Sequence, residues 1–182
     1  VFTAERDAIA AIKKGKIHAG DIIVLICRGP LGAGMEETYQ LASALKFLDF
    51  GKHVAIITDA RFSGVSTGAC IGHVGPEALA GGPIGRIWNG DRIRIEIDRI
   101  SLKGSINFVG DGEREFSPEE GARILTERSP EVTLKADPDL PDDTRLWALL
   151  QKFGGGTWGG CVYDVDAIER ALNGVAAPAS GN

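Results

Sequence analysis

His53-Val54-Ala55-Ile56-Ile57-Thr58-Asp59-Ala60-Arg61-Phe62-Ser63-Gly64-Val65-Ser66-Thr67-Gly68 is an apolar run that breaks into a loop of glycines, hydroxyls, one carboxylate and one guanidinium. The apolar part reads as a buried strand. The glycines after it permit positive φ and the close approach of a ligand. Short polar side chains on a strand-anchored loop suit a small polar substrate. They also suit a tight turn whose Ser and Thr satisfy its own backbone.

Upstream, Ile22-Ile23-Val24-Leu25-Ile26 is a second apolar run, read as a strand buried on both faces. The glycine-rich segment Arg28 to Glu37 then leads into a helix with Leu41, Ala44, Leu45 and Leu48 on its core stripe. Thr3 is expected to cap a first helix through Ala8, Ile9 and Ile12. Both polar loops therefore fall at strand C-termini, the edge where open α/β sheets bind ligands.

Downstream, Pro76 to Ala80 reads as a short helical turn. Ile84 to Trp88 and Arg92 to Asp98 alternate with period two around Asn89-Gly90-Asp91, which predicts a hairpin. More strand is expected over Ser101–Lys103 and Ser105–Val109, so this half reads as antiparallel sheet within a small barrel. Ser117-Pro118-Glu119-Glu120 is a helix start with cap, N1 proline and N3 glutamate. Residues 129–143, rich in Pro and Asp, read as a linker. A helix through Leu146, Trp147, Leu149, Leu150 and Phe153 follows. After it come the glycine loop Gly154 to Cys161 and a last helix capped by Asp164 or Asp166. The expected division is an α/β domain over 1–128, a C-terminal extension over 129–175 and a disordered tail over 176–182.

The 182 residues carry a formal net charge of −5, which argues against nucleic acid as a partner. No apolar run approaches the roughly 20 residues of a membrane span. The three cysteines, Cys27, Cys70 and Cys161, are too scattered for a disulfide framework or a metal knuckle. A reduced, cytoplasmic compartment is the expectation. The opening Val1-Phe2-Thr3-Ala4-Glu5-Arg6 reads like the interior of a longer protein.

The residues suited to chemistry are few. Glu37, after a glycine loop, suits a hard cation such as Mg²⁺, or a helix first turn, where Glu36 would serve equally. Asp59 and Arg61 suit a substrate carboxylate or hydroxyl, or each other. His73 suits a general acid or a satisfied loop histidine. The Gly154–Cys161 loop lacks the lysine and glycine order of a phosphate cradle.

Four motifs in order carry a more specific signal. They are Gly29-Pro30-Leu31-Gly32-Ala33-Gly34-Met35-Glu36-Glu37, Thr58-Asp59-Ala60-Arg61-Phe62-Ser63-Gly64, Cys70-Ile71-Gly72-His73-Val74-Gly75-Pro76-Glu77-Ala78 and Gly81-Gly82-Pro83-Ile84. Over about residues 1–110 the chain resembles the C-terminal domain of the dihydroxyacid dehydratase and 6-phosphogluconate dehydratase family. Gly155-Gly156-Thr157-Trp158-Gly159-Gly160-Cys161-Val162-Tyr163-Asp164 is similar to the sugar-acid branch that dehydrates xylonate.

The resemblance implies a swivelling β/β/α domain, a small barrel-like mixed sheet flanked by helices. It implies a hydro-lyase that converts a 2,3-dihydroxy acid to a 2-keto-3-deoxy acid, using an iron–sulfur cluster as Lewis acid and Mg²⁺ at the carboxylate end. Ser63 falls on the proton-abstracting base and Glu37 on a Mg²⁺ ligand, with Glu36 standing where the family has proline. Asp59, Arg61, Gly64, Ser66, Thr67 and His73 are the expected substrate contacts. The cluster cysteines of the family lie in an N-terminal domain, so Cys27, Cys70 and Cys161 are not carried over. The chain is thus expected to be inactive alone, to partner its own N-terminal domain and a sugar acid, and to form a homo-oligomer. The alternatives are a dihydroxyacid dehydratase of branched-chain amino acid synthesis and a non-catalytic binding domain of the same fold.

Overall fold

The structure is a computed structural model and describes residues 1–174; the expected tail over 176–182 lies outside them. Strands β1 (Ile22–Leu25), β3 (Ala55–Thr58) and β5 (Ala69–Ile71) form a parallel sheet in the order β1-β3-β5. Leu25 stands opposite Thr58 and Ile57 opposite Ile71, so the three chains leave the sheet at one edge. Side chains alternate across it. Ile23 and Ile56 face a cluster with Ala8 of helix α1 (Glu5–Lys13) and Leu41, Ala42 and Leu45 of α3 (Gln40–Lys46). Val24 and Ile57 face Ala78, Ile84, Ile87, Phe108 and Leu125 on the other side. Two covered faces explain why these strands read as unbroken apolar runs.

The remaining strands do not close a barrel. Strands β2 (Glu37–Thr38) and β4 (Arg61–Phe62) make a parallel ladder two residues long. Strands β6 (Arg92–Asp98) and β7 (Lys103–Gly110) make an antiparallel hairpin. These are separate sheets, so the expected barrel-like mixed sheet is corrected to a mixed α/β arrangement of small sheets and helices. A barrel needs strands long enough to tilt and pair all round.

Three local expectations change. Helix α1 is preceded by Ala4 with no side-chain cap, so Thr3 is not the cap. Glu37 lies in β2 rather than in a helix first turn, because Gly29-Pro30 starts a separate short helix α2 (Pro30–Ala33). The Glu5 carboxylate instead caps α3, accepting from the amides of Tyr39 (3.1 Å) and Leu41 (2.7 Å). Residues Pro83–Arg86 form a 3₁₀ turn, and the hairpin lies one element later than expected.

Helix α4 (Pro118–Glu127) begins as the sequence predicts, with Ser117 Oγ accepting from the Glu120 amide at 3.2 Å. Residues 129–141 form neither helix nor strand and lead, with Val132 and Leu134 against the core and a turn at 138–139, into α5 (Asp142–Gln151). Asp164 caps α6 (Val165–Gly174), accepting from Ala167 N at 2.9 Å. Among the described residues no helix is long and apolar enough to cross a membrane.

Candidate active site

Three loops meet at the carboxyl edge of the parallel sheet, following β1, β3 and β5. The short β2–β4 ladder stitches the first two together. It sets Glu37 opposite Arg61, and their side chains form an ion pair. One residue further, Ser63 donates its amide to the Thr38 carbonyl at 3.2 Å. Glu37, Arg61 and Ser63 are therefore brought to one corner, with the Ser63 residue half-buried. Arg61 Nε also donates to the Met35 carbonyl at 3.2 Å, which fixes the guanidinium over the ladder.

The adjacent Glu36 points into a different partnership. Its carboxylate takes two donors of Arg28, and Asp137 stands 3.7 Å from the same guanidinium. Of the two glutamates, Glu37 is the one on the ladder beside Ser63.

Other expected contacts sit differently. Asp59 is fully buried, and its carboxylate accepts from the amides of Cys27 (3.0 Å), Arg28 (3.0 Å) and Ala78 (3.1 Å). It braces the loops from inside and does not open onto the corner. Ser66 and Thr67 border a small hollow of about 100 Å³ against Tyr39, Ala42, Ser43 and Lys46. Gly64 is exposed at the loop crest. His73 is exposed, its amide donating to the Ala60 carbonyl at 2.7 Å, so it flanks the Arg61 segment.

Non-glycine residues with left-handed backbone gather here: Cys27 (φ 64°), Met35 (φ 64°) and His73 (φ 54°). Such conformations cost free energy and concentrate at functional loops. Glu77 was not singled out by its sequence. It is buried, receives the Leu31 amide on both oxygens (3.1 and 3.0 Å), and is pushed up to about 7 by burial, with the nearby Asp59 charge adding to this. Burial also raises Asp59, against the pull of its amide donors. The amides of Arg28, Ala78 and Cys27 oppose the rise at Asp59, whereas Glu77 has the Leu31 and Gly32 amides to oppose its own.

The C-terminal extension rests on the same loops. The Asp137 amide donates to the Gly32 carbonyl at 2.7 Å. A Cβ on Gly34 would lie 2.4 Å from Thr144 Cγ2, and one on Gly75 would lie 3.1 Å from Trp158 N and 3.3 Å from Thr157 Cγ2. Glycine is what lets the extension lie this close.

Neither cofactor fits this chain alone. Among the described residues no three His, Cys, Asp or Glu side chains converge to hold a metal ion. The three cysteines are free, and burial pushes the Cys27 thiol up to about 11, the opposite of what a thiolate ligand needs. Glu37 offers a hard cation one carboxylate, already engaged by Arg61.

The arrangement defines an α/β domain with a polar loop site at the carboxyl edge of its sheet. Residues 1–131 match the family described as Dihydroxy-acid/6-phosphogluconate dehydratase C-terminal, and the chain belongs to that family. It is 59% identical over 173 residues to the D-xylonate dehydratase YagF of Escherichia coli (strain K12), covering 95% of this chain and 26% of that protein. It is 61% identical over 174 residues to the D-xylonate dehydratase YjhG of the same organism, covering 94% and 27%. The dihydroxy-acid dehydratase of Agathobacter rectalis is 52% identical over 104 residues, covering 57% and 19%. The chain thus spans about a quarter of the length of the xylonate dehydratases it matches.

Proposed function

We propose that this chain is the C-terminal domain of a sugar-acid dehydratase, acting on xylonate or a close relative and inactive by itself. The observation that carries this reading is the β2–β4 register, which sets Glu37 against Arg61 and hangs Ser63 on Thr38. Ser63 Oγ takes the C2 proton of the 2,3-dihydroxy acid. Arg61 has the forked donors that suit a carboxylate, and Glu37, released from Arg61, would offer one ligand to a cation at the substrate's carboxylate end. The C3–O bond breaks, the departing hydroxide takes up the proton that Ser63 accepted and leaves as water, and the C2–C3 enol tautomerises to the 2-keto acid. An iron–sulfur cluster and Mg²⁺, which would be held chiefly by residues outside this chain, would supply Lewis acidity when bound.

The substrate class rests on the extension. Both xylonate dehydratases match across it, whereas the match to the dihydroxy-acid dehydratase spans 104 residues. Residues 137, 144, 157 and 158 lie against the loops at Gly32, Gly34 and Gly75, which supports a role for the extension in substrate choice. Exposed Leu146, Leu149, Phe153, Val165 and Leu172 offer an apolar surface to the N-terminal domain or to a second subunit of a homo-oligomer.

The test is to assay the full-length parent, with cluster reconstituted, on xylonate and on 2,3-dihydroxyisovalerate. Faster turnover of xylonate is expected. Faster turnover of the branched acid would overturn the substrate, and no dehydration of either would overturn the reaction.

A further inference from the structure

We propose that Asp59 and Glu77 are positioning residues, a buried carboxylate pair that locks the Cys27–Gly34 loop in register with the Ser63 loop. The proposal deepens the dehydratase reading and rests on it for its kinetic consequence.

The geometry is a ring of hydrogen bonds closed by one side chain. Asp59 holds the Arg28 amide. The Arg28 carbonyl accepts from Glu36 N at 3.1 Å, and the Glu36 carbonyl accepts from Arg61 N at 3.3 Å, two residues beyond Asp59. The ring leaves Glu37 and Arg61 side by side. Through Cys27 and Ala78, Asp59 also joins the exits of β1 and β5. Glu77 adds the second fastening, on Leu31 N. A Cβ on Gly29 would lie 2.5 Å from Glu77 Oε2 and 3.0 Å from the Asp59 carbonyl, so the loop is seated directly on the pair. Two buried carboxylates carry a desolvation cost that apolar residues of similar volume would avoid. What they secure is directional: amides from two separate segments, residues 27–31 and Ala78, aimed at the carboxylate pair.

Substitutions separate positioning from bulk. Asp59→Asn leaves one acceptor oxygen, so at least one of the three amides faces an NH₂ group. Gly29→Ala displaces the loop by crowding Glu77 Oε2, with no charge added or removed. Glu77→Gln keeps an acceptor for Leu31, and Glu77→Ala keeps none.

The experiment pairs amide hydrogen exchange on the 182-residue chain with kinetics of the reconstituted full-length parent on xylonate. Asp59→Asn and Gly29→Ala are expected to speed exchange at Cys27, Arg28, Leu31, Ala78 and, beyond any direct contact, Ser63 by about tenfold or more, while α4 and β6–β7 keep their protection. In the parent, both lower kcat by roughly 30-fold or more with KM little changed, as expected when a reacting group is misplaced. Glu77→Gln restores most of the kcat that Glu77→Ala loses. Unchanged exchange at Ser63 with kcat within about twofold would overturn the proposal. So would protection lost evenly over the whole domain, which marks a brace for the fold at large. The exchange pattern decides the clamp whether or not xylonate is the substrate, and a wild-type parent inactive on xylonate counts against the dehydratase reading alone.

Discussion

Ser63 hangs its main-chain amide on the carbonyl of Thr38, at 3.2 Å, and so a residue from the loop after β3 is held by the strand that carries Glu37. The contact uses backbone only, which leaves the Ser63 hydroxyl for chemistry.

Replacing that hydroxyl should therefore be nearly silent in stability and severe in rate. Ser63→Ala in the full-length parent is expected to lower kcat on the sugar acid by about 10²–10⁴-fold, the usual scale for a lost general base. Circular dichroism and Tm should match the wild type. Near-normal turnover would remove Ser63 from the reaction.

Gly121 offers a test of packing against propensity. It lies in α4, where alanine is ordinarily preferred over glycine by about 1 kcal/mol. A Cβ there would lie 1.9 Å from the Phe108 carbonyl oxygen. Overpacking outweighs propensity, so Gly121→Ala should destabilise the chain by on the order of 2 kcal/mol. Urea denaturation reads the difference, and a stabilised variant would contradict the close approach of α4 to β7.

Glu77 sets a pH dependence. Its carboxyl is raised from an ordinary 4.5 to about 7, chiefly by burial. The folded state then binds the proton more tightly than the unfolded state. Stability from this group is full below about 4.5 and is lost as pH rises through about 7. The loss is on the order of 3 kcal/mol by linkage. Glu77→Gln should flatten the decline, checked by urea midpoints at acid and neutral pH. An unchanged slope would assign the decline to other groups.

The seat of the extension is tested at Gly75. A Cβ there already crowds Trp158 N at 3.1 Å, and the branched side chain of valine has no room beside Thr157. Gly75→Val should lift the Gly154–Cys161 loop, seen as faster proteolysis within it, and raise KM for xylonate in the parent by roughly tenfold. Unaltered proteolysis and KM would detach the extension from substrate selection.

Much of the framework was legible from local chemistry. The apolar runs at Ile22 and Val54 became the central strands, and Ser117-Pro118-Glu119-Glu120 became a capped helix start. Both are signals that act within a few residues, although the local cap signal at Thr3 fails. The hairpin was misplaced because its strongest turn signal, Asn89-Gly90-Asp91, follows a 3₁₀ turn at Pro83–Arg86. The actual turn after Asp98 carries no glycine at its bend. It is held by the Asp98 carboxylate on the amides of Ile100 (2.8 Å) and Ser101 (3.2 Å), with Leu102 at φ 55°.

The sequence marks candidate residues for the site but not how the fold holds them. Asp59, at the end of a strand beside Arg61, reads as a ligand contact. Its burial depends on amides from residues 27, 28 and 78, which no local pattern announces. Glu77 is hidden for the same reason, since its partner Leu31 is 46 residues away. The ladder between β2 and β4 is too short to leave a periodicity.

That two-residue ladder also has a thermal consequence. Short pairings open at a fraction of the free energy of global unfolding. The corner holding Glu37, Arg61 and Ser63 should therefore come apart while the central sheet and its helices remain intact. On warming, catalytic competence would fade ahead of secondary structure, and the interval between the two temperatures would measure how much rigidity the rest of the assembled enzyme lends to this edge.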